Sequence, residues 1–386
     1  AGLTNFEAFA ANAFFTAGMV LFEVPTGVVA DTLGRRVSYL LGTITLAGST
    51  AWYWLLWQTQ APFWEWAVVS VLLGLGFTFF SGAVEAWLVD ALKASKFKGN
   101  LEQVFGKGQI VAGGAMLTGS VAGGYIAQVT NLGVPFLLRV AVLVGMFFLA
   151  WAVMRDVGFT PERGAGPVKE VRKVASASIR YGWRVPAVKW VMVSSLFGGG
   201  VGIYVFYALQ PYLLQLWGDP TAYGIAGLTA AIVAGAQIAG GILAPKIRTM
   251  FHRRTTALVL GVAVSTVALI GVGTVGNFYA VLALVVVWGL IFAATSPIHQ
   301  AYLNGMIPSQ QRATILSFDS LMGSAGGVGV QPALGRAADV YGYGTSYVFG
   351  AVIQAVAIPA LLLSRKQQEP ADTMSGARSV PAEPAA

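Results

Sequence analysis

Five ionisable side chains stand within or at the ends of long apolar runs: Glu23, Glu85, Asp90, His299 and Asp319. An ionisable group near the middle of a helix in lipid costs about 2.5 to 3.5 kcal/mol on insertion scales, so each needs a partner or a task. The task these residue types suit is moving protons. A carboxyl pushed up by burial, or an imidazole near its ordinary value of about 6.5, changes charge within the accessible pH range. Bond-making chemistry has far less behind it. Two isolated His, no Cys and no Gly-Lys-Ser/Thr phosphate loop leave no catalytic constellation, thiolate zinc site or ATP-driven motor. No enzyme activity, cofactor or metal is expected, and a proton gradient is the expected energy source.

Glu23 lies eight residues before Asp31, about 12 Å up a helix at 1.5 Å per residue. It is the deepest acid of the first half, suited either to carry a proton or to bond a neighbouring helix. Glu85 shares a helical face with Phe77 and Ser81 at spacings of four, whereas Asp90 points about 140° away. The equivalent face late in the chain carries Phe292, Ser296, His299 and Gln300. Glu85 and His299 are therefore the leading coupling residues, with a packing role as the alternative for His299. Asp319 is a further coupling candidate, with capping its helix or pairing with Arg312 as the alternative. Tyr204, Tyr207, Gln210, Pro211 and Tyr212 place aromatic faces and an amide beside a proline kink. That mixture suits amphipathic or cationic organic molecules, and equally an ordinary core.

The elements that must position these groups are membrane helices. Of 386 residues 56% are hydrophobic and 10% charged, where a soluble domain carries about 25% charged residues. Apolar runs of about 20 residues, the length that crosses a bilayer, repeat along the chain. Eleven are read: five within residues 1–154, including unbroken spans at Ser38 to Trp57 and Trp66 to Ala91, and six within 187–365. Residues 155–186 form a linker in which Val168, Val171, Val174, Ile179 and Trp183 recur among basic residues, the pattern of an amphipathic surface helix. Residues 366–386 turn Pro/Ala/Glu/Ser-rich and are expected to be disordered.

Of the 24 Lys and Arg, all but Arg139 and Arg336 fall in alternate loops and the tail. The positive-inside rule makes that side cytoplasmic, so the long central loop and C-terminus lie inside a plasma membrane. A pI near 9.7 then reflects topology, and nucleic acid is excluded as a partner because the charges form no stripe. The partners expected are the lipid bilayer and a small-molecule substrate, with a monomer as the working unit. Trp52, Trp54, Trp57, Trp64, Trp66 and Trp217 form an outer aromatic belt. This orientation puts residue 1 outside, on a chain that opens directly at a span, so one preceding helix is expected to be missing.

The halves repeat each other. Gly27-Val28-Val29-Ala30-Asp31, with Arg35 and Arg36 following, is echoed by Gly241-Ile242-Leu243-Ala244-Pro245, with Arg253 and Arg254 following. Gly74, Phe77, Ser81, Glu85, Ala86, Trp87 and Leu88 match Gly289, Phe292, Ser296, Gln300, Ala301, Tyr302 and Leu303. Two matches at nearly one offset favour duplication, as in transporters built from bundles that rock about a central site.

The segment from Gly27 to Arg36, Gly-Val-Val-Ala-Asp-Thr-Leu-Gly-Arg-Arg, resembles the loop signature of the major facilitator superfamily, with Val29 where Leu is common and Thr32 where a first Arg is. The resemblance implies an all-α membrane fold of two pseudo-symmetric bundles, with about 11 of an expected 12 helices present. It implies that Phe77, Ser81, Phe292, Ser296 and Gln300 line a central cavity. It also implies a gating motif of Gly27, Asp31, Gly34, Arg35, Arg36 and Asp90. In that motif Asp31 faces the start of the penultimate helix near Ile315 and Arg35 pairs with Asp90, latching the outward-open state. Gly27 and Gly34 would serve the tight turn. Gly119-Ser120-Val121-Ala122-Gly123-Gly124 resembles the antiporter signature of the family, with Ser120 in place of proline, and close helix packing explains it equally well. The function expected is proton-coupled efflux of small organic or drug-like molecules. A proton-coupled importer of a nutrient or metabolite is the alternative, and a transport-dead receptor or intramembrane enzyme stands further off.

Overall fold

The computed structural model describes residues 2–81, 83–97, 101–159, 183–306 and 312–374. Among them the chain is helical: α1 (Asn5–Leu33), α2 (Arg35–Thr59), α3 (Phe63–Thr78), α4 (Ala83–Ala94), α5 (Leu101–Val129) and α6 (Gly133–Val153) make the first half. The second half comprises α7 (Pro186–Trp217), α8 (Tyr223–Met250), α9 (Arg254–Thr274), α10 (Phe278–Met306), α11 (Arg312–Ala355) and α12 (Ala357–Arg365). Helices satisfy every backbone group internally, which lipid demands. The surface-helix pattern of the linker lies almost wholly outside the described residues.

Nine helical stretches among the described residues are long and apolar enough to cross a membrane. The sequence reading gave eleven, and two places account for the difference. Phe318–Arg365 runs for 48 residues as one stretch, over twice the roughly 20 a bilayer needs, and it turns at Gly342, where φ is 82°. The other is α2, in which Ser38, Thr43, Ser49 and Thr50 are buried inside the protein and lower the hydropathy of the helix.

The span read as unbroken from Trp66 to Ala91 is interrupted between α3 and α4. Side chains from other helices hold the break. The Thr26 hydroxyl donates to the Thr78 carbonyl (3.1 Å) and the Ser38 hydroxyl to the Phe79 carbonyl (2.8 Å). Phe77, Ser81 and Glu85 therefore do not share one continuous helical face.

Gly34 joins α1 to α2 with φ 108°, and a Cβ there would strike the Asp156 carboxylate. That carboxylate accepts from the Arg36 amide at 2.9 Å, an anion at the start of α2. Gly34→Ala is expected to cost about 1 to 3 kcal/mol, read as a lower melting temperature of the purified protein. Gly27, by contrast, lies within α1 with open space beside it, so it does not serve the turn.

The tail expected to be disordered from Gln367 begins with a docked segment. Asp372 is buried and accepts from the Thr255 amide and hydroxyl at 2.8 and 2.9 Å, capping α9. Met374 donates to the His252 carbonyl. Asp372→Ala is expected to lower stability by about 0.5 to 2 kcal/mol and to make the chain after Arg365 more readily cleaved in limited proteolysis.

Within the second half α7 crosses α11 closely. A Cβ at Gly199 would lie 2.7 Å from the Gly323 Cα, and one at Gly200 2.7 Å from the Gly326 carbonyl carbon. Beside the crossing Tyr204, Leu213, Leu269, Val285 and Tyr347 form the largest apolar core.

The halves meet at the end where the loops lack cations. Asp339 of α11 accepts from the Asn5 and Phe6 amides at 2.9 and 2.8 Å, capping α1 together with the Thr4–Glu7 capping box. Tyr343 donates to Asn5 (2.6 Å), Asn12 donates to Gln331, and the Phe9 and Tyr204 rings lie 4.7 Å apart. On the other flank the Gly224 amide donates to Gln128 (3.2 Å), and Gly124 and Gly227 bring α5 against α8.

Candidate functional site

Three helices bring three polar side chains to one wall of a cavity of about 480 Å³ in the second half. From α7 the Ser195 hydroxyl donates to Asp319 Oδ1 of α11 at 2.7 Å, and His299 of α10 reaches Asp319 Oδ2 through Nε2 at 2.8 Å. Ser195 Oγ and His299 Nε2 lie 3.4 Å apart. The sequence builds this locally. Small residues at Gly199 and Gly323 let α7 and α11 approach, and Pro297 interrupts the bonding of α10 two residues before His299. With Asp319 ionised, Nε2 carries the proton it donates, and Nδ1 is the position that gains or loses one. The side chains of His299 and Asp319 are 21% and 14% exposed, so the pair is sheltered yet open to the cavity.

This corrects the capping reading of Asp319, which lies seven residues into α11 and joins other helices; the pairing with Arg312 falls on a side chain outside the described residues. Asp319 joins Ser195 and His299, and Ser195 was not foreseen. Phe292, Ser296 and Gln300 line the same cavity, with Phe292 stacked on Trp288 at 5.4 Å.

A second cavity of about 230 Å³ lies between the halves, with Asn12, Thr50, Tyr53, Phe77, Arg139 and Tyr207 among its walls. The Arg139 guanidinium stands over the Phe77 ring, 5.9 Å from its centre. Tyr53 hydrogen-bonds Ser70, and the Thr50 hydroxyl is buried without a hydrogen-bond partner among the described residues. Arg139 was counted in the sequence only for topology. The signal that marks it is the one applied to the acids, a charge inside an apolar run.

The other expected residues disperse. Glu23 accepts from Ser81 at 2.6 Å, a bond that links α1 to the break after α3. Glu85 is exposed on α4 and lines neither cavity. Tyr204 is fully buried, bonded to Ser346 at 2.5 Å and packed at a tilt against the Phe9 and Tyr347 rings, so it belongs to the core. Tyr207 lines the smaller cavity, and Gln210 is exposed outside both. In the gating motif Arg35 pairs with Asp31 at 2.5 Å, not with Asp90, and its guanidinium faces the Phe159 ring. Arg36 donates to the Trp151 carbonyl. Asp156 is the acid the sequence reading missed here, and the Ile315 side chain lies outside the described residues.

Two halves of membrane-length apolar helices, with cavities that each carry a few polar groups, have the architecture of a multi-pass membrane transporter. The chain matches the Major Facilitator Superfamily over residues 2–331 and belongs to that family. It is a transporter, not an enzyme. Among curated relatives, an uncharacterized MFS-type transporter of Bacillus subtilis, YxaM, is 24% identical over 360 residues, 89% of this chain and 83% of that protein. Among solved structures, the nucleoside transporter NupG aligns at a TM-score of 0.73 and 12% identity over 94% of this chain and 91% of that one. A D-xylose-proton symporter aligns at 0.72 and 16%, covering 93% and 88%. A bacterial homologue of the human lysosomal transporter Spinster, inward-facing and unoccupied, aligns at 0.71 and 16%, covering 98% and 92%. These likenesses establish the fold.

Proposed function

We propose that the protein is a proton-coupled secondary transporter of small organic molecules, working by alternating access, with Ser195, His299 and Asp319 as its coupling site. The observation that carries this is the imidazole–carboxylate pair at 2.8 Å on a cavity wall. A proton added there changes the charge of a sheltered pair on the cavity wall of the second half, the half that rocks against the first in alternating access. Glu23, held by Ser81, and exposed Glu85 stand behind it as coupling residues.

With the cation-rich loops cytoplasmic, the closed seam at Asp339 and Gln331 is extracellular and the conformation is inward-facing. The Asp31–Arg35 pair is then the resting arrangement of the gating motif. Closure of the cytoplasmic end would pass Arg35 to Asp90 while Asp156 keeps Gly34 and Arg36 in place. Export, the direction expected from the sequence, rested on the glycine-rich stretch of α5. Ser120 and Gly124 in that stretch take part in the close approach to α8, so packing accounts for them and import stands level with export.

The test uses proteoliposomes with an internal pH dye, an imposed pH gradient and a panel of lipophilic cations, nucleosides, sugars and organic anions. At least one class is expected to dissipate the gradient, and the sign of its accumulation gives the direction. No compound-dependent proton movement across the panel would count against coupling and favour a uniporter.

A further inference from the structure

One cation stands in the passage between the halves without a counter-charge. Arg139 is six residues into α6, about 9 Å along the helix, and among the described residues no acid pairs with it. Its guanidinium faces the Phe77 ring, and no carboxylate of the described residues lines its cavity. A charge at such depth is costly unless compensated, and a π face compensates only part of it. The same cavity holds the unpartnered, buried Thr50 hydroxyl and the aromatic side chains of Tyr53 and Tyr207. Cation, hydroxyl and ring faces together make a wall suited to an anion with an apolar body.

We infer that the cargo carries a single carboxylate, received by Arg139 with help from Thr50, and that its apolar or aromatic body lies against Phe77 and Tyr207. This rests on the transporter reading and narrows its substrate class. A lone guanidinium neutralises one negative charge, and the second charge of a dianion would be left bare in a poorly solvated site. A cavity of about 230 Å³ is below the roughly 300 to 1,000 Å³ of drug-sized pockets, which points to a small acid. A cationic cargo, favoured by the aromatic residues in the sequence, would meet Arg139 as a like charge. Asn12, another wall of the cavity, is tied to Gln331 of the seam, so an occupant touches residues that part when that end opens.

The test is equilibrium binding to the purified protein in lipid nanodiscs, with benzoate, neutral benzamide and cationic benzylamine as probes. Binding is read instead of flux because benzoic acid crosses bilayers unaided. Benzoate is expected to bind about 10- to 100-fold more tightly than benzamide, and Arg139→Gln to remove that preference while Arg139→Lys keeps part of it. Equal affinity for benzoate and benzamide, preference for benzylamine, or no benzoate binding by the wild type overturns the inference, whatever the variants do. Benzoate binding, with no protein-dependent proton movement for any member of the panel in the dye assay, would remove the coupling proposal and leave this one standing.

Discussion

Replacing Asp319 by Asn is expected to stop uphill transport while exchange of substrate across the membrane continues. Asn keeps the shape and one acceptor, so the Ser195 bond at 2.7 Å survives in kind. What it lacks is charge. Without a carboxylate 2.8 Å from Nε2, a sheltered imidazolium has no compensation and His299 stays neutral through the cycle. One proton descending about 100 mV releases about 2.3 kcal/mol, enough for roughly 50-fold accumulation. In the variant the accumulation ratio should fall to about one by the same relation, with counterflow preserved. Loss of counterflow and uphill transport together would mean that Asp319 holds the fold or the substrate and does not link the proton.

Removing the Asp339 carboxylate should shift the protein toward the opposite-facing state. Asp339 receives the first two amides of α1, so Asp339→Ala takes away an anionic cap worth about 0.5 to 2 kcal/mol. The open-to-closed ratio at the seam should rise by about 2- to 30-fold. The chain has no cysteine, so spin labels on Thr130→Cys and Thr221→Cys, exposed positions beside the C-terminal end of α5 and the N-terminal end of α8, report this without background. A longer-distance population should grow in the variant. An unchanged distance distribution would show that the seam is held by the α5–α8 packing and the remaining α1–α11 contacts without the Asp339 cap.

How much of this was legible in the sequence follows from what each feature depends on. Helical crossings and their grouping into halves follow from hydropathy and repeated glycines, which are local, and the family match bears out the fold. The break after Thr78 was not legible, because it depends on hydroxyls of Thr26 and Ser38, remote in sequence. His299 and Asp319 were each singled out, but their union with Ser195 spans up to 124 positions and depends on how α7, α10 and α11 pack. Tyr204 and Tyr207 looked alike in sequence, yet three residues apart they face a core and a cavity. Arg139 was legible as a charge within lipid and was set aside because a topology count absorbed it. The docking of Asp372 on α9 left no trace in a composition that reads as a loose tail.

The most direct test of proton coupling is the pH dependence of substrate affinity in nanodiscs, taken with whichever panel member moves protons. If proton and substrate sites are linked, the substrate Kd must change with pH across the titration of the Ser195–His299–Asp319 site, by the reciprocity of linked binding. The expected result is a Kd that varies with pH in the wild type and is flat in Asp319→Asn. A Kd independent of pH in the wild type, or an identical slope in the variant, would contradict coupling at this site.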